Sequence, residues 1–484
     1  MGSNPADLGV LEAAAKLKQG ELSSAELTEA CLQRIGERNG GEPTFDGAPD
    51  AINAWARVYA DQAREQARRA DERRASEGDK TPLLCGIPLG LKDLYAVKEL
   101  PLTASSRVLE GNVAEEDCVA WERLKREGMV LLGHTHTHEF AAGGTTDQVG
   151  NPWDLERSAG GSSGGSGAAL AAGMTPAALG SDTCGSLRIP SMLCATSTIK
   201  PTHGRIPIRG VVPLAPTLDH VGPMARSVAD CAAILSALAS GPTEPTAHMP
   251  PPEPLGDLPT EARPGPKPLE GVTIALTDRT QMANTEAAPD AGLEAARKAC
   301  ESLGARIVQS PAPRIFEWED LDWIFLTEVR AYHAQHDGKD ELYRPAILEL
   351  AAASRQFTDA QRYMAAQAKR AQAVATWEAW FASGEVDLVL EPTLPIGAPL
   401  RGPGYDAGHA GGSGDPLIAL TVLWDMTGFP VAAIPVPEVA GDAGIPVGVS
   451  LIAPRGREAV VTQAAIDLQE HALGLPSYPA APFS

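Results

Sequence analysis

The sequence predicts one large α/β domain, on three observations. Short apolar runs alternate with segments of helical period along most of the chain. The composition is that of an ordinary globular protein, with 43% hydrophobic and 21% charged residues. No segment repeats another. A length of 484 residues would allow two or three domains, but the strand–helix rhythm continues past every candidate boundary.

Residues 6–38 read as two helices. Ser23 and Glu26 have capping-box spacing ahead of AELTEACLQRI, in which Leu27, Cys31 and Ile35 recur at helical intervals. Residues 56–77, rich in Ala, Arg and Glu, read as a long solvated helix. The texture then changes. LLCGIPLGLKDLY (83–95) and VLLGHTHTHEF (from Val130) read as buried strands entering loops. Residues 141–222 are rich in Gly, Ser and Thr and nearly uncharged, yet hold apolar runs such as AALAAGMTPAALG, so they read as buried turns, helix and strand. Ten prolines within 242–268 leave no room for a regular element and suggest a surface connector, taken as 241–270. Beyond it come a strand at VTIAL (from Val272), a helix over about 289–303, a strand at ARIV (305–308), a helical region over about 316–382, a buried strand at DLVLEP (from Asp387), strands at VAAIPVP and VGVSLIAP, and a last helix over about 458–470. The expected organisation is N-terminal helices over 1–80, a core over 81–235, the connector, and the rest of the sheet over 271–484.

Forty Lys and Arg against 62 Asp and Glu give a net charge of −22. Nucleic-acid binding draws its affinity from basic side chains on phosphates, so neither a nucleic acid nor an anionic membrane is the expected partner. No apolar run reaches the length of a membrane span, and residues 1–20 lack a secretory signal pattern. Seven cysteines, an odd number without CxxC spacing, fit reduced thiols in a cytoplasm and neither a disulfide framework nor a zinc site. A monomer or homodimer is expected.

Three weak signals carry the chemistry. GGSSGGSG (160–167) alone could be a linker or an anion-cradling loop, without the Lys of a phosphate-binding motif. Ser186 follows Ser162 by 24 residues, in GSDTCGSLRIP (180–190). Successive N–H groups in such a turn, from Thr183, Cys184, Gly185 and Ser186, can hold an oxyanion. Lys92 sits in apolar GIPLGLKDLY, where desolvation lowers an ammonium pKa and makes a neutral base available; pairing with Asp93 is the plainer alternative.

Together these segments resemble the amidase signature family. The resemblance runs through GIPLGLKD (86–93), HEFAAGGTT (138–146), AGGSSGGSGAALAAGMTPAALGSDTCGSLRIP (159–190), KPTHGRIP (200–207) and LDHVGPMARSVAD (218–230). It continues more loosely through EPTLPIGAP (391–399) and TGFPVAAIPV (427–436). It implies a single α/β fold around a mixed, twisted sheet, with no metal and no organic cofactor. The family's catalytic lysine falls on Lys92, its cis-peptide relay serine on Ser162 and its nucleophile on Ser186. Asp182 and Arg188 would hold the turn in shape, and Ser163 would support it by hydrogen bonding. The implied activity is hydrolysis of carboxylic amides through an acyl-enzyme, with aryl esters, anilides or carbamates (urethanes) as further small-molecule substrates. Cys184 departs from the commonest pattern, which has Gly there. A Cβ restricts the backbone and puts the oxyanion geometry in question.

Rival readings remain. His134, His136 and His138 alternate as metal ligands on a strand can, which is the start of a metal-dependent amidohydrolase pattern; no second histidine cluster accompanies them. Within the family, the chain could be the A subunit of a tRNA-dependent amidotransferase, but the segment after 320 does not resemble the part that recognises glutamine's α-carboxylate. Cys184 as nucleophile lacks a nearby His in the motif. The segment expected to shape the substrate pocket is about 315–425. Its Phe316, Trp318, Trp323, Phe325, Tyr332 and Trp424 could line a pocket or pack in the core, and GYDAGHAGGSGDP (404–416) could cover it.

Overall fold

The computed structural model describes residues 4–243, 252–277, 285–311, 313, 317–405 and 414–479. Thirteen strands occur among them: β1 (Trp55–Val58), β2 (Pro88–Lys92), β3 (Val130–Thr135), β4 (Gly150–Asn151), β5 (Asp154–Ser158), β6 (Ala177–Asp182), β7 (Ser197–Lys200), β8 (His220–Ala225), β9 (Thr273–Thr277), β10 (Arg306–Ser310), β11 (Leu388–Pro392), β12 (Val431–Ala440) and β13 (Pro446–Ile452). Eleven form one sheet in the order β1-β3-β2-β6-β8-β7-β12-β13-β11-β9-β10, and β4 pairs with β5 in a separate ribbon. The sheet is mixed. β3, β2 and β6 run parallel, as do β11, β9 and β10, while the strands between β6 and β11 pair antiparallel.

β2, β3, β6, β7, β8, β11 and β13 are buried at every residue. Most of these strands are accordingly rich in apolar residues, as strands covered on both faces require; β7, Ser197-Thr198-Ile199-Lys200, is instead mostly polar. Helices Ser24–Arg38, Ala60–Glu77, Val228–Leu238, Ala287–Ser302 and Glu458–Leu468 supply the cover. Ser23 accepts from Glu26 N–H, and the Glu26 side chain reaches back to Ser23 N–H, completing the expected capping box.

Three expectations need adjustment. The helix expected over 56–77 begins at Ala60, because Trp55–Val58 pairs antiparallel with β3 instead. The helical region of 316–382 is three helices, Trp318–His333, Pro345–Ser354 and Ala360–Ala382. Pro345 opens the second, where its missing N–H is harmless. The last helix ends at Leu468 and continues as a π turn to Leu473. Residues 252–270 contain no helix or strand and lie against the C-terminal helix through Arg263 and Asp467, 2.7 Å apart; 244–251 fall outside the described residues. Among the described residues no helix is long and apolar enough to cross a membrane.

Candidate active site

The site forms where parallel strands β2 and β6 end side by side. Leu91 lies opposite Leu179, so Lys92 ends one strand beside Ser181 and Asp182, which end the other. The glycine-serine block arrives over them as a loop and the helix Gly164–Ala171. Close approach explains its composition: a Cβ on Gly161 would lie 1.9 Å from the Thr145 carbonyl oxygen. The Gly161–Ser162 peptide is cis. Ser162 O accepts from His138 N–H at 2.9 Å and from the Thr146 hydroxyl at 3.3 Å. The HEFAAGGTT segment thus holds the loop in place.

Lys92 is fully buried. Its Nζ lies 2.7 Å from Ser162 Oγ and 2.9 Å from Ser181 Oγ. Burial pushes its pKa down to about 7, against the pull of Asp182 and Asp219. Its neighbour Asp93 does not hold it. That carboxylate is taken by Arg57, the Thr103 hydroxyl and Ser105 N–H. Ser163 ties the loop to β6, its hydroxyl donating to Ser181 O at 3.2 Å and accepting from Ser181 N–H at 3.3 Å.

Ser186 is 7% exposed and stands in the turn after β6. No hydrogen bond joins its hydroxyl to Ser162 among the described residues. Such catalytic contacts commonly tighten only in the substrate complex. Asp182 organises the turn from inside, accepting from Gly185 N–H at 2.5 Å and Leu187 N–H at 3.2 Å. Arg188 grips the same carboxylate at 2.9 and 3.1 Å and donates to Thr421 O at 2.8 Å. Burial raises the Asp182 pKa, but Arg188 outweighs it and holds the carboxyl below its usual range. Of the four N–H groups expected to face an oxyanion, that of Gly185 is therefore committed to Asp182. Those of Thr183, Cys184 and Ser186 have no acceptor among the described residues.

The turn's positive φ belongs to Gly185, at +141°; Cys184 is not among the positive-φ residues. The Cβ of Cys184 therefore adds no left-handed strain. Its carbonyl accepts from the Thr421 hydroxyl at 2.5 Å. Burial drives its thiol pKa well up, the opposite of an activated thiol.

A pocket opens at Ser186, lined by Ala141–Gly144, Thr183, Cys184, Ile189, Leu214, Phe325, Asp415 and Ile418. Of the six aromatic candidates, Phe325 lines it. Trp424 packs on Trp377 and Phe429, Trp323 on Phe357 and Tyr332 on Phe140. Trp318 packs partly buried against the core. Phe316 and residues 406–413 of the glycine-rich loop lie outside the described residues.

The histidines of HTHTH have separate partners. His134 bonds to the Tyr59 hydroxyl and Tyr95 O, at 2.8 and 3.0 Å. His136 bonds to the Ser105 hydroxyl and Thr44 O, at 3.1 and 3.0 Å. His138 meets Glu139 O at 3.3 Å. Among the described residues no three His, Cys, Asp or Glu are grouped to hold a metal ion.

Residues that sequence reasoning missed complete the picture. Ser181 is the second hydroxyl on Lys92. Asp219 accepts from the Thr183 hydroxyl at 2.6 Å. Asp425 contacts Arg188 at 2.5 Å. Ser181 stood within the serine turn, where only knowledge of the strand order could single it out.

The family model for amidases matches residues 26–461. The A subunit of the glutamyl-tRNA(Gln) amidotransferase from Prochlorococcus marinus (strain MIT 9313) is 35% identical over 511 residues, covering 98% of this chain and 99% of that one. A solved 6-aminohexanoate cyclic dimer hydrolase matches with TM-score 0.80 and 26% identity, over 96% of this chain and 97% of that one. The solved A subunit of the Thermotoga maritima glutamyl-tRNA(Gln) amidotransferase matches with TM-score 0.77 and 26% identity, over 99% of this chain and all of that one. The chain belongs to the amidase signature family and is an enzyme that hydrolyses C–N bonds.

Proposed function

We propose that this enzyme is an amidase for small substrates with apolar or aryl acyl groups, using Ser186 as nucleophile, Ser162 as relay and Lys92 as base. The observation that carries the reading is the pair of short contacts from a fully buried Lys92 to Ser162 and Ser181. A lysine in that setting is neutral in a large fraction near pH 7 and can take a proton from a hydroxyl. Neutral Lys92 accepts the Ser162 proton as Ser162 accepts that of Ser186, and Ser186 Oγ bonds to the substrate carbonyl carbon. The oxyanion faces the N–H groups of Thr183, Cys184 and Ser186, which have no acceptor among the described residues. On collapse, the proton returns through Ser162 to the leaving nitrogen and the C–N bond breaks. Water then repeats the sequence on the acyl-enzyme. Esters, anilides and carbamates present the same carbonyl, and Phe325, Ile189, Leu214 and Ile418 in the cavity wall suit an apolar acyl group.

The near-full-length likeness to an amidotransferase component favours a second reading, glutamine as the amide, with partner subunits and tRNA. Against it, the described cavity lining holds one carboxylate, Asp415, and neither Lys nor Arg, which is poor company for glutamine's α-carboxylate. The deciding experiment is a panel of anilides, fatty amides, aryl esters, carbamates and glutamine, run on the wild type and on Ser186→Ala. Turnover of the neutral amides, absent in Ser186→Ala, is expected. Turnover confined to glutamine, or co-purification with a second subunit, would favour the amidotransferase; activity surviving in Ser186→Ala would end the nucleophile assignment.

A further inference from the structure

Behind the nucleophile turn, on the side away from Lys92, lies a second buried lysine that the reaction scheme does not use. Lys200 ends β7 and is fully buried. Its Nζ lies 2.7 Å from Phe429 O, 3.3 Å from Pro201 O and 3.2 Å from His220 Nε2. Three acceptors use all three N–H groups of an ammonium. His220 opens β8 directly across from Asp182, the last residue of β6. Its Nδ1 faces oxygens only: Leu218 O at 2.6 Å, Asp182 O at 3.2 Å and Asp425 Oδ1 at 3.4 Å. With a donor at Nε2 and acceptors at Nδ1, the imidazole is the neutral tautomer protonated at Nδ1.

The path continues into the catalytic turn. Asp425 Oδ2 meets Arg188 at 2.5 Å, and Arg188 grips Asp182, which receives Gly185 N–H. Asp182, Asp425 and Arg188 have fully buried side chains. The cluster then holds two carboxylates and two cations around a neutral ring, a balance that a buried network needs. Other titratable or charged groups facing it are His203, 5.0 Å from the His220 ring, Glu458, paired with Arg205, Arg370, which donates to Asp425 O at 3.4 Å, and the Cys184 thiol of the turn itself. Burial pushes Lys200 down to about 7 and drives Asp425 well up.

We infer that Lys200, His220 and Asp425 form one buried unit behind the turn, and that Lys200 and Asp425 are positioning residues acting through Arg188 and Asp182 to hold the turn's N–H groups where the oxyanion of a Ser186 attack develops. The inference rests on Ser186 as the nucleophile, and an inactive Ser186→Ala control separates failure of that reading from failure of this one.

The test compares Lys200→Met, Asp425→Asn and the double variant, with kcat and KM measured on a neutral anilide. Each single variant removes one side of a balanced pair; the double variant restores the balance. A tenfold or greater fall in kcat is expected in each single variant, with KM within about twofold. In the double variant kcat should be no lower than in the worse single one. Wild-type kcat in either single variant would overturn the inference, and so would losses that multiply in the double. Should a single variant fail to fold, ¹⁵N NMR of wild-type His220, assigned through His220→Gln, decides the arrangement. A signal protonated at Nδ1 and bare at Nε2 supports the unit, and the reverse tautomer overturns it.

Discussion

Lys92 and Lys200 are both fully buried, and burial pushes both down to about 7. What they touch differs. Lys92 points at two serine hydroxyls, whereas Lys200 points at two backbone carbonyls and an imidazole. A hydroxyl can surrender a proton to a neutral amine; a carbonyl can only accept one. Under the proposed mechanism, the same perturbed basicity would serve base chemistry at one site and a rigid anchor at the other. A shifted pKa marks a candidate, but the partner's hydrogen-bonding capacity decides its role.

The largest effects should fall on the chain of hydroxyls that Lys92 serves. Ser186→Ala should lower kcat by at least about 10⁴-fold, in line with nucleophile removal in other serine hydrolases. Lys92→Ala should follow at about 10²–10⁴-fold, the usual worth of a general base. In the wild type, kcat/KM should rise with pH through about 7, because only neutral Lys92 accepts a proton and the ammonium form gains below that value. That limb should vanish in Lys92→Ala and persist in Lys200→Met. A limb lost in Lys200→Met instead would exchange the roles of the two lysines.

How much of this contrast was legible in sequence follows from distance along the chain. Lys92, Ser162 and Ser186 stand in distinctive segments whose order carries the inference, and the Asp182–Arg188 clamp spans six residues. Ser181 was in plain view, five residues before Ser186, yet its contact with Lys92 arises only because β2 and β6 are parallel neighbours. Asp425 lies 237 residues from Arg188, and no local pattern announces such a pairing. β1 was hidden for the same reason. Its four residues lead into a helix, and only pairing with β3 makes them a strand. HTHTH misled in the other direction: alternation placed the histidines correctly on or beside a strand, but their individual partners are core hydroxyls and carbonyls.

Stability sharpens the comparison next. At pH 8, above both values, Lys200→Met leaves the Phe429 and Pro201 carbonyls buried without their donor. An orphaned buried acceptor costs about 1–3 kcal/mol. Lys92→Met leaves hydroxyls, which rotate to other acceptors, and removes a buried amine that the proposed mechanism uses as its base. It should be neutral or stabilising by about 1 kcal/mol. The pH dependence has a definite sign. With its folded pKa lowered from 10.5 to about 7, Lys92 binds fewer protons folded than unfolded across that window, so its contribution makes stability rise with pH there. Thermal melts of both variants from pH 6 to 9 test this, and equal destabilisation by the two would remove the distinction.

The smallest effect belongs to Ser181. Its hydroxyl occupies one direction around Lys92 Nζ. In the neutral amine, donation to Ser181 leaves the lone pair free to aim at Ser162, 2.7 Å away. Ser181→Ala removes that orienting contact but neither the base nor the relay. A single net hydrogen bond is worth about 0.5–1.5 kcal/mol, so kcat should fall by roughly three- to tenfold with KM unchanged. Losing a donor's partner also disfavours the ammonium, so the limb near pH 7 should move to lower pH. Ser181→Thr keeps the hydroxyl and should recover most of the rate. A Thr variant as slow as Ala would mean that Ser181 matters for packing against β2 and not for the direction in which Lys92 points.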